Sequence, residues 1–213
     1  MRVGILGSGL MGGKLGTLFA RARHEVTFSY ARSKEKLNRL ARDAGGNARP
    51  GTPSEAAQGV DALLLAVHWS RIDDVLNQAG DLSGKVIISC SPPLNAQNTE
   101  LIFGHTTSGA EELAKQVPGA DVIAAFNNVP SEVLFGVFEA RGNSTPPSMV
   151  YCGDNQAAKR VAATLISPPL RANSVPAVEH QQKLLVGVVR RNVAAGEPVP
   201  DCPPGSVPPT PFR

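Results

Sequence analysis

The chain is 213 residues long and 42% hydrophobic, enough to bury one sizeable core and too little for a second of full size. It carries 21 basic and 18 acidic side chains, a net charge of +3, with only 5% aromatic residues, which argues against a nucleic-acid surface built from basic and stacking groups. No run approaches the roughly 18 unbroken apolar residues of a membrane span, and no leader pattern precedes the first apolar segment, so a cytoplasmic protein without membrane contact is expected.

The first thirteen residues carry the strongest local signal. Val3 to Leu6 reads as a buried parallel strand, and it breaks into Gly7-Ser-Gly-Leu-Met-Gly-Gly13 before Leu10, Leu15, Leu18 and Phe19 recur at helical spacing. A strand, a glycine loop and a helix in that order make a dinucleotide-binding turn. Gly7 permits the tight exit from the strand, Gly9 lets the backbone approach a pyrophosphate, and Gly12 lets the helix pack against the strand. Ser8, Leu10 and Met11 complete the loop, whose amides face the anion at the positive end of the helix.

Strands and helices then alternate. Val26 to Tyr30 is a β-branched and aromatic strand, Lys34 to Ala44 a helix with Leu37 and Leu40 facing inward, and Ala48 to Gly51 a short strand. Ser54 is placed as the cap of a brief helix. Asp61 to Val67 is a continuous apolar strand, followed by a helix over Ile72 to Gln78, a strand over Lys85 to Ser89, a helix over Ala110 to Val117 and a strand over Asp121 to Phe126. Ser131 to Ala140 reads as helix, Ser148 to Cys152 as strand, and Asn155 to Ile166 as a helix with Ala157, Val161 and Leu165 on one face. The pattern is that of an α/β, Rossmann-type doubly wound parallel sheet.

Beyond Ile166 the composition changes: residues 167–213 hold ten of the 18 prolines, and only His180 to Asn192 has helical character. A Rossmann domain over 1–166 and a divergent, proline-rich C-terminal segment over 167–213 are therefore expected. Cys90, Cys152 and Cys202 are odd in number and widely spaced, which suits neither a metal site nor a disulfide framework, and Cys90 and Cys152, in or beside apolar strands, read as buried thiols.

The second strand indicates which dinucleotide. An acidic residue at its end would hold the 2′-hydroxyl of NAD, and this chain has none there. It offers Ala31, Arg32, Ser33, Lys34 and Lys36 instead, a set suited to a 2′-phosphate because guanidinium makes planar, charge-assisted bonds to phosphate oxygens. A solvated basic helix start is the alternative reading of this run.

Taken together, these blocks resemble the NADP oxidoreductase, coenzyme-F-420-dependent family, which includes deazaflavin:NADP reductases and the reductase domain of the STEAP metalloreductases. The glycine loop, Ala31-Arg32-Ser33, Leu65-Ala-Val-His-Trp69, Leu82-Ser-Gly-Lys-Val-Ile-Ile88, Ser108-Gly-Ala-Glu-Glu-Leu-Ala114, Ala125-Phe-Asn127 and Tyr151-Cys-Gly-Asp154 follow the family's order over about residues 1–166. The resemblance implies an enzyme that transfers hydride between NADP(H) and a deazaflavin (coenzyme F-420) or flavin co-substrate. The cofactor carries such chemistry, so no protein nucleophile, metal or paired carboxylate is required, and the residues provide none.

The pocket is expected beyond the carboxyl ends of the strands, with Val67, His68 and Trp69 after the fourth, Ser91 and Pro92 after the fifth and Asn127 after the sixth. Trp69 is either an aromatic wall for the nicotinamide or a packed surface aromatic. Asn127 either bonds the carboxamide or caps its own loop, and His68 either donates a proton or holds structure. The family's proline before the tryptophan is His68 here, its Thr-Asn-Pro is Ser91-Pro92-Pro93, and its lysine before Ala-Phe-Asn is Ala124. The family's closing strand and helices, which complete the acceptor site and a homodimer, are replaced by the proline-rich segment. Two further readings follow from these departures: a non-catalytic NADP-binding or redox-sensing module, and a flavin-mediated metal reductase. The expected partner is a small-molecule hydride acceptor, beside a second copy of the chain.

Overall fold

The computed structural model describes residues 1–104, 106–140 and 149–170, with side chains considered as far as 166. Its strands are β1 (Arg2–Leu6), β2 (Glu25–Ser29), β3 (Ala48–Pro50), β4 (Ala62–Leu65), β5 (Val86–Ser89), β6 (Asp121–Ala125) and β7 (Tyr151–Cys152). The helices are α1 (Leu10–Arg21), α2 (Lys34–Ala44), α3 (Pro53–Ala57), α4 (Ile72–Ala79), α5 (Gly109–Gln116), α6 (Leu134–Glu139) and α7 (Gln156–Leu170). They build one seven-stranded sheet in the order β3-β2-β1-β4-β5-β6-β7, and the chain reverses its direction of winding between β1 and β4. That is the Rossmann-type α/β arrangement expected from the sequence.

The pleat explains why the central strands are continuous apolar runs. In β4, Ala62 and Leu64 enter the core under α1, α2 and α7, while Leu63 and Leu65 enter the core under α3, α4 and α5. All four are buried, because helices cover both faces. Ile87 and Ile88 divide between the two cores in the same way. Each such leucine or isoleucine contributes about 1.5–3 kcal/mol by leaving water.

Several elements differ from the sequence reading. The strand read over Ser148 to Cys152 pairs only over Tyr151–Cys152 and runs antiparallel to β6, so the sheet is parallel in all but its edge; Ser148 itself lies outside the described residues. The cap of α3 is Thr52, not Ser54. Its hydroxyl accepts from the Glu55 amide at 3.2 Å while the Glu55 carboxylate accepts from the Thr52 amide at 2.7 Å, and Pro53 occupies the first helical position. The segment after β6 starts as a tight 3-10 turn over Ser131–Val133 before α6 forms. On α7 the inward residues are Ala158, Ala162, Leu165 and Ile166, so Ala157 faces water, and the helix continues to Leu170. Leu10, in register with the buried Leu18, is 71% exposed because the first turn of α1 projects past the sheet edge. The expected helix over His180 to Asn192, the rest of the tail beyond Leu170 and Cys202 lie outside the described residues.

Candidate functional site

The glycine loop crosses the carboxyl edge of β1, and its geometry accounts for each glycine. Gly7 sits at φ +113, a left-handed conformation, and a β-carbon there would meet the Ala66 carbonyl oxygen at 2.5 Å. At Gly12 a β-carbon would lie 1.9 Å from the Gly7 carbonyl oxygen, so only glycine lets α1 start this close to the strand. Gly9 has open space on its β-carbon side.

The start of α1 is left with free donors. The first bond of the helix runs from the Gly13 amide to the Gly9 carbonyl at 3.0 Å, and Gly9, as the N-cap, brings no side-chain acceptor. The amides of Leu10, Met11 and Gly12 therefore have no partner within the helix, at the end where its dipole is positive. An anion satisfies both conditions. Ser8 contributes differently than its place in the loop suggests. It is fully buried, its hydroxyl donates to the Ser29 carbonyl at 2.8 Å and its amide to the Tyr30 carbonyl at 3.1 Å, so it locks β1 to the end of β2.

A groove of about 1410 Å³ opens from this loop across the ends of β2 and β4. Gly7, Ser8, Gly9, Leu10, Ala31, Arg32, Ser33, Lys36, Val67 and His68 all line it, together with Lys34. The Ser33 hydroxyl accepts from the Lys36 amide at 3.3 Å and so caps α2, which presents a second positive helix end beside Arg32. No carboxylate stands at the end of β2 itself, so the basic cluster faces the groove uncompensated by its own strand.

Among the lining residues not singled out from the sequence, Tyr30, Arg71, Asp74 and Gln78 form one hydrogen-bonded cluster. Tyr30 follows β2 with φ +54, and its hydroxyl donates to Asp74 Oδ2. Arg71 donates from Nε to the Tyr30 hydroxyl oxygen at 2.9 Å and from Nη2 to Asp74 Oδ2 at 2.7 Å, while Gln78 donates to Asp74 Oδ1 at 3.1 Å. The Tyr30 hydroxyl, then the Gln78 amide, then the Arg71 charge hold the Asp74 carboxyl below the usual carboxylate range. Burial, followed by the bond to Asp74, pushes the Tyr30 phenol up. The sequence signal for the Arg71–Asp74 pair alone is an Arg-x-x-Asp spacing at the start of α4, with Arg71 as its N-cap residue and Asp74 in its first turn.

The remaining expected site residues sit elsewhere along the same edge. Met11 packs its side chain against the core, and Gly12 is buried behind the loop. Trp69 meets the Phe103 ring edge-on at 5.2 Å and would be 3.2 Å from a β-carbon on Gly109, so it anchors the segment after β5 outside the groove's lining. Ser91 is buried with its hydroxyl 3.4 Å from the Leu65 carbonyl, and Pro92 is half-buried beside it. With its amide turned so that nitrogen faces the two carbonyls, Asn127 donates to Ala125 at 2.7 Å and to Ser89 at 2.8 Å, tying β6 to β5. His68 Nδ1 accepts from the Ser70 amide at 3.2 Å, which places the proton on Nε2, 3.1 Å from the Asn95 carbonyl. Both ring nitrogens are thus engaged in structure.

Among the described residues, no group of three or more His, Cys, Asp or Glu side chains comes together, and no helix is long and apolar enough to cross a membrane. Cys90 is buried, its sulfur 3.4 Å from the Leu65 carbonyl, and burial pushes the thiol up to about 12.

Residues 2–93 match the model of the family described as NADP oxidoreductase, coenzyme F420-dependent. Over that stretch the chain is similar to members of the family. The match takes in β1 to β5, and with them the glycine loop, the basic cluster and the α4 residues. Metalloreductase STEAP3 of Rattus norvegicus is 26% identical over 164 residues, which are 77% of this chain and 31% of the relative. The chain thus spans about a third of the length of that curated relative. A provisionally named F420-dependent NADP-reductase of Arthrobacter sp. FB24 has a similar structure, with a TM-score of 0.70 at 21% identity over 82% of this chain and 84% of that one. A hypothetical protein of Sinorhizobium meliloti gives a TM-score of 0.72 at 23% identity, again over 82% and 84%. Pyrroline carboxylate reductase of Plasmodium falciparum, solved with NADP bound, shares the fold at a TM-score of 0.55 and 17% identity, over 82% of this chain and 57% of that one.

Proposed function

We propose that this protein is an NADP-dependent oxidoreductase that passes a hydride between NADPH and a deazaflavin (coenzyme F-420) or flavin acceptor. One observation carries the cofactor reading: the glycine loop up to Leu10, where α1 opens, and the Arg32, Ser33 and Lys36 cluster line a single groove. A diphosphate suits the first and a 2′-phosphate the second, and the open side of Gly9 lets the backbone come up to the ligand. The family match over residues 2–93 supports the redox assignment.

Bound NADPH supplies the hydride, so the protein's contribution is position and electrostatics. The α1 terminus orients the diphosphate, and Arg32 grips the 2′-phosphate with a planar fork. Val67 and His68 line the groove where it leaves the adenosine half toward the ends of β4, β5 and β6. There Ser91, Pro92, Asn127 and Trp69 shape the nicotinamide and acceptor region. His68 keeps its backbone turn in place through Ser70 and Asn95 and acts by positioning. In the net reaction NADPH becomes NADP+, and the acceptor gains a hydride together with a proton from solvent.

Purified protein should oxidise NADPH faster with coenzyme F-420 or a free flavin than without, and should prefer NADPH to NADH. Absence of acceptor-dependent oxidation rejects the enzyme reading. Tight NADPH binding without turnover on any acceptor supports a non-catalytic NADP-binding module instead, and turnover only with a ferric complex and flavin together supports a metal reductase, the activity in the name of the rat relative.

A further inference from the structure

We propose that Arg71 is the nucleobase-binding residue of the groove, its guanidinium forming the planar surface on which the purine of the bound dinucleotide stacks, with Tyr30 and Asp74 as positioning residues. This rests on the NADP reading above. In NADP the 2′-phosphate and the base hang from adjacent carbons of one ribose, so the base must lie in the same groove as Arg32, close to the group that holds the phosphate. Arg71 lines that groove and carries a flat cation into it.

Arg71 is exposed, with 59% of its side chain in water, yet it is held at two of its nitrogens, by the Tyr30 hydroxyl at 2.9 Å and Asp74 at 2.7 Å. An ion pair of that exposure adds little stability, so the arrangement is better explained by what it orients. Its guanidinium carbon lies 5.8 Å from the centre of the Tyr30 ring, which backs it from the side of β2. Tyr30 reaches this position only from a left-handed backbone at φ +54, a conformation costly for an aromatic residue and held by the Ser8 amide on its carbonyl at 3.1 Å. Strain of this kind persists where the surrounding structure enforces it, and it collects at ligand clamps.

Asp74 cannot itself read the base. Oδ2 already accepts from Tyr30 and Arg71, and Oδ1 accepts from Gln78. A free carboxylate would repel a phosphate-bearing ligand, and these three donors neutralise it. A guanidinium fixed in one plane is the remaining recognition element, and guanidinium planes stack on aromatic rings.

Calorimetric titration of the full chain with 2′,5′-ADP and with ribose 2,5-bisphosphate, which lacks the base, tests this directly. Arg71→Ala should weaken 2′,5′-ADP by about tenfold and change ribose bisphosphate by no more than about twofold. Arg71→Lys should lose most of the same preference although it keeps the charge, and Asp74→Asn should lose part of it. Equal loss for both ligands, full rescue by lysine, or no loss at all overturns the assignment. A wild-type chain that binds neither ligand overturns the NADP reading itself, so the two failures are distinguishable.

Discussion

At the level of a single side chain, the proposed preference for NADP over NAD rests on Arg32. It is exposed, it follows the last residue of β2 by a short turn, and it lines the groove beside the capped start of α2. Replacing it with glutamate would put a repelling carboxylate at the proposed 2′-phosphate site. Arg32→Glu should raise the dissociation constant for NADPH by about a hundredfold while leaving NADH within about threefold, measured by calorimetry. Cys90 gives a second expectation: since burial raises its thiol to about 12, it should resist alkylation in the folded protein near neutral pH and react only as the chain unfolds, as read by peptide mass mapping. Arg32 was legible in the sequence because the end of the second strand has a fixed place in this fold. Arg71 was not, because its partner Tyr30 lies 41 residues away and no local pattern links them. Ser8 illustrates the same limit, since its place in the loop is visible but the engagement of its hydroxyl by Ser29 depends on strand pairing.

The junction of β1 with α1 is the element that the site depends on most. Gly12→Ala would force a β-carbon against the Gly7 carbonyl oxygen and against the Ala66 β-carbon at 3.0 Å, both on backbone that has little room to yield. The substitution should destabilise the fold by about 1–3 kcal/mol, seen in denaturant melts, and should weaken NADPH binding by moving the free amides of α1. At this scale the sequence was most informative for buried strands and capped helices. The apolar runs of β1, β4, β5 and β6 are intrinsic to strands covered on both faces. Helix faces with small residues were harder: alanines dominate α7, so its inward side was set by what it packs on and fell on Ala158 and Ala162. The edge strand β7 was misjudged in direction because two residues carry no signal about orientation.

Across the whole molecule, stability should depend on pH through His24. Its ring is buried against Phe19 at 6.4 Å, and Nε2 finds no partner among the described residues. Burial, with the amino terminus beside it, holds its pKa below the ordinary 6.5. The unfolded chain therefore takes up a proton first, and folding stability should fall as the pH drops below about 6.5 toward the lowered folded value. Thermal melts between about pH 7.5 and about pH 5 should show this loss, and His24→Gln should reduce its slope; an unchanged slope would place the dependence on other groups. NADPH at a hundred times its dissociation constant should add about 2.7 kcal/mol to the wild type, a gain that Arg32→Glu should cut to about 0.4 kcal/mol at the same concentration. By itself the sequence determined the order of strands and helices, the glycine loop and the basic end of β2, because each follows from the conformational and chemical preferences of neighbouring residues. Tertiary structure alone decided which donors remain free at the loop, where His68, Asn127 and Trp69 are engaged, and that Tyr30, Arg71 and Asp74 meet at one wall of the groove. Those outcomes depend on the sheet placing β2 and β4 on either side of β1, which brings together side chains that the chain itself holds far apart.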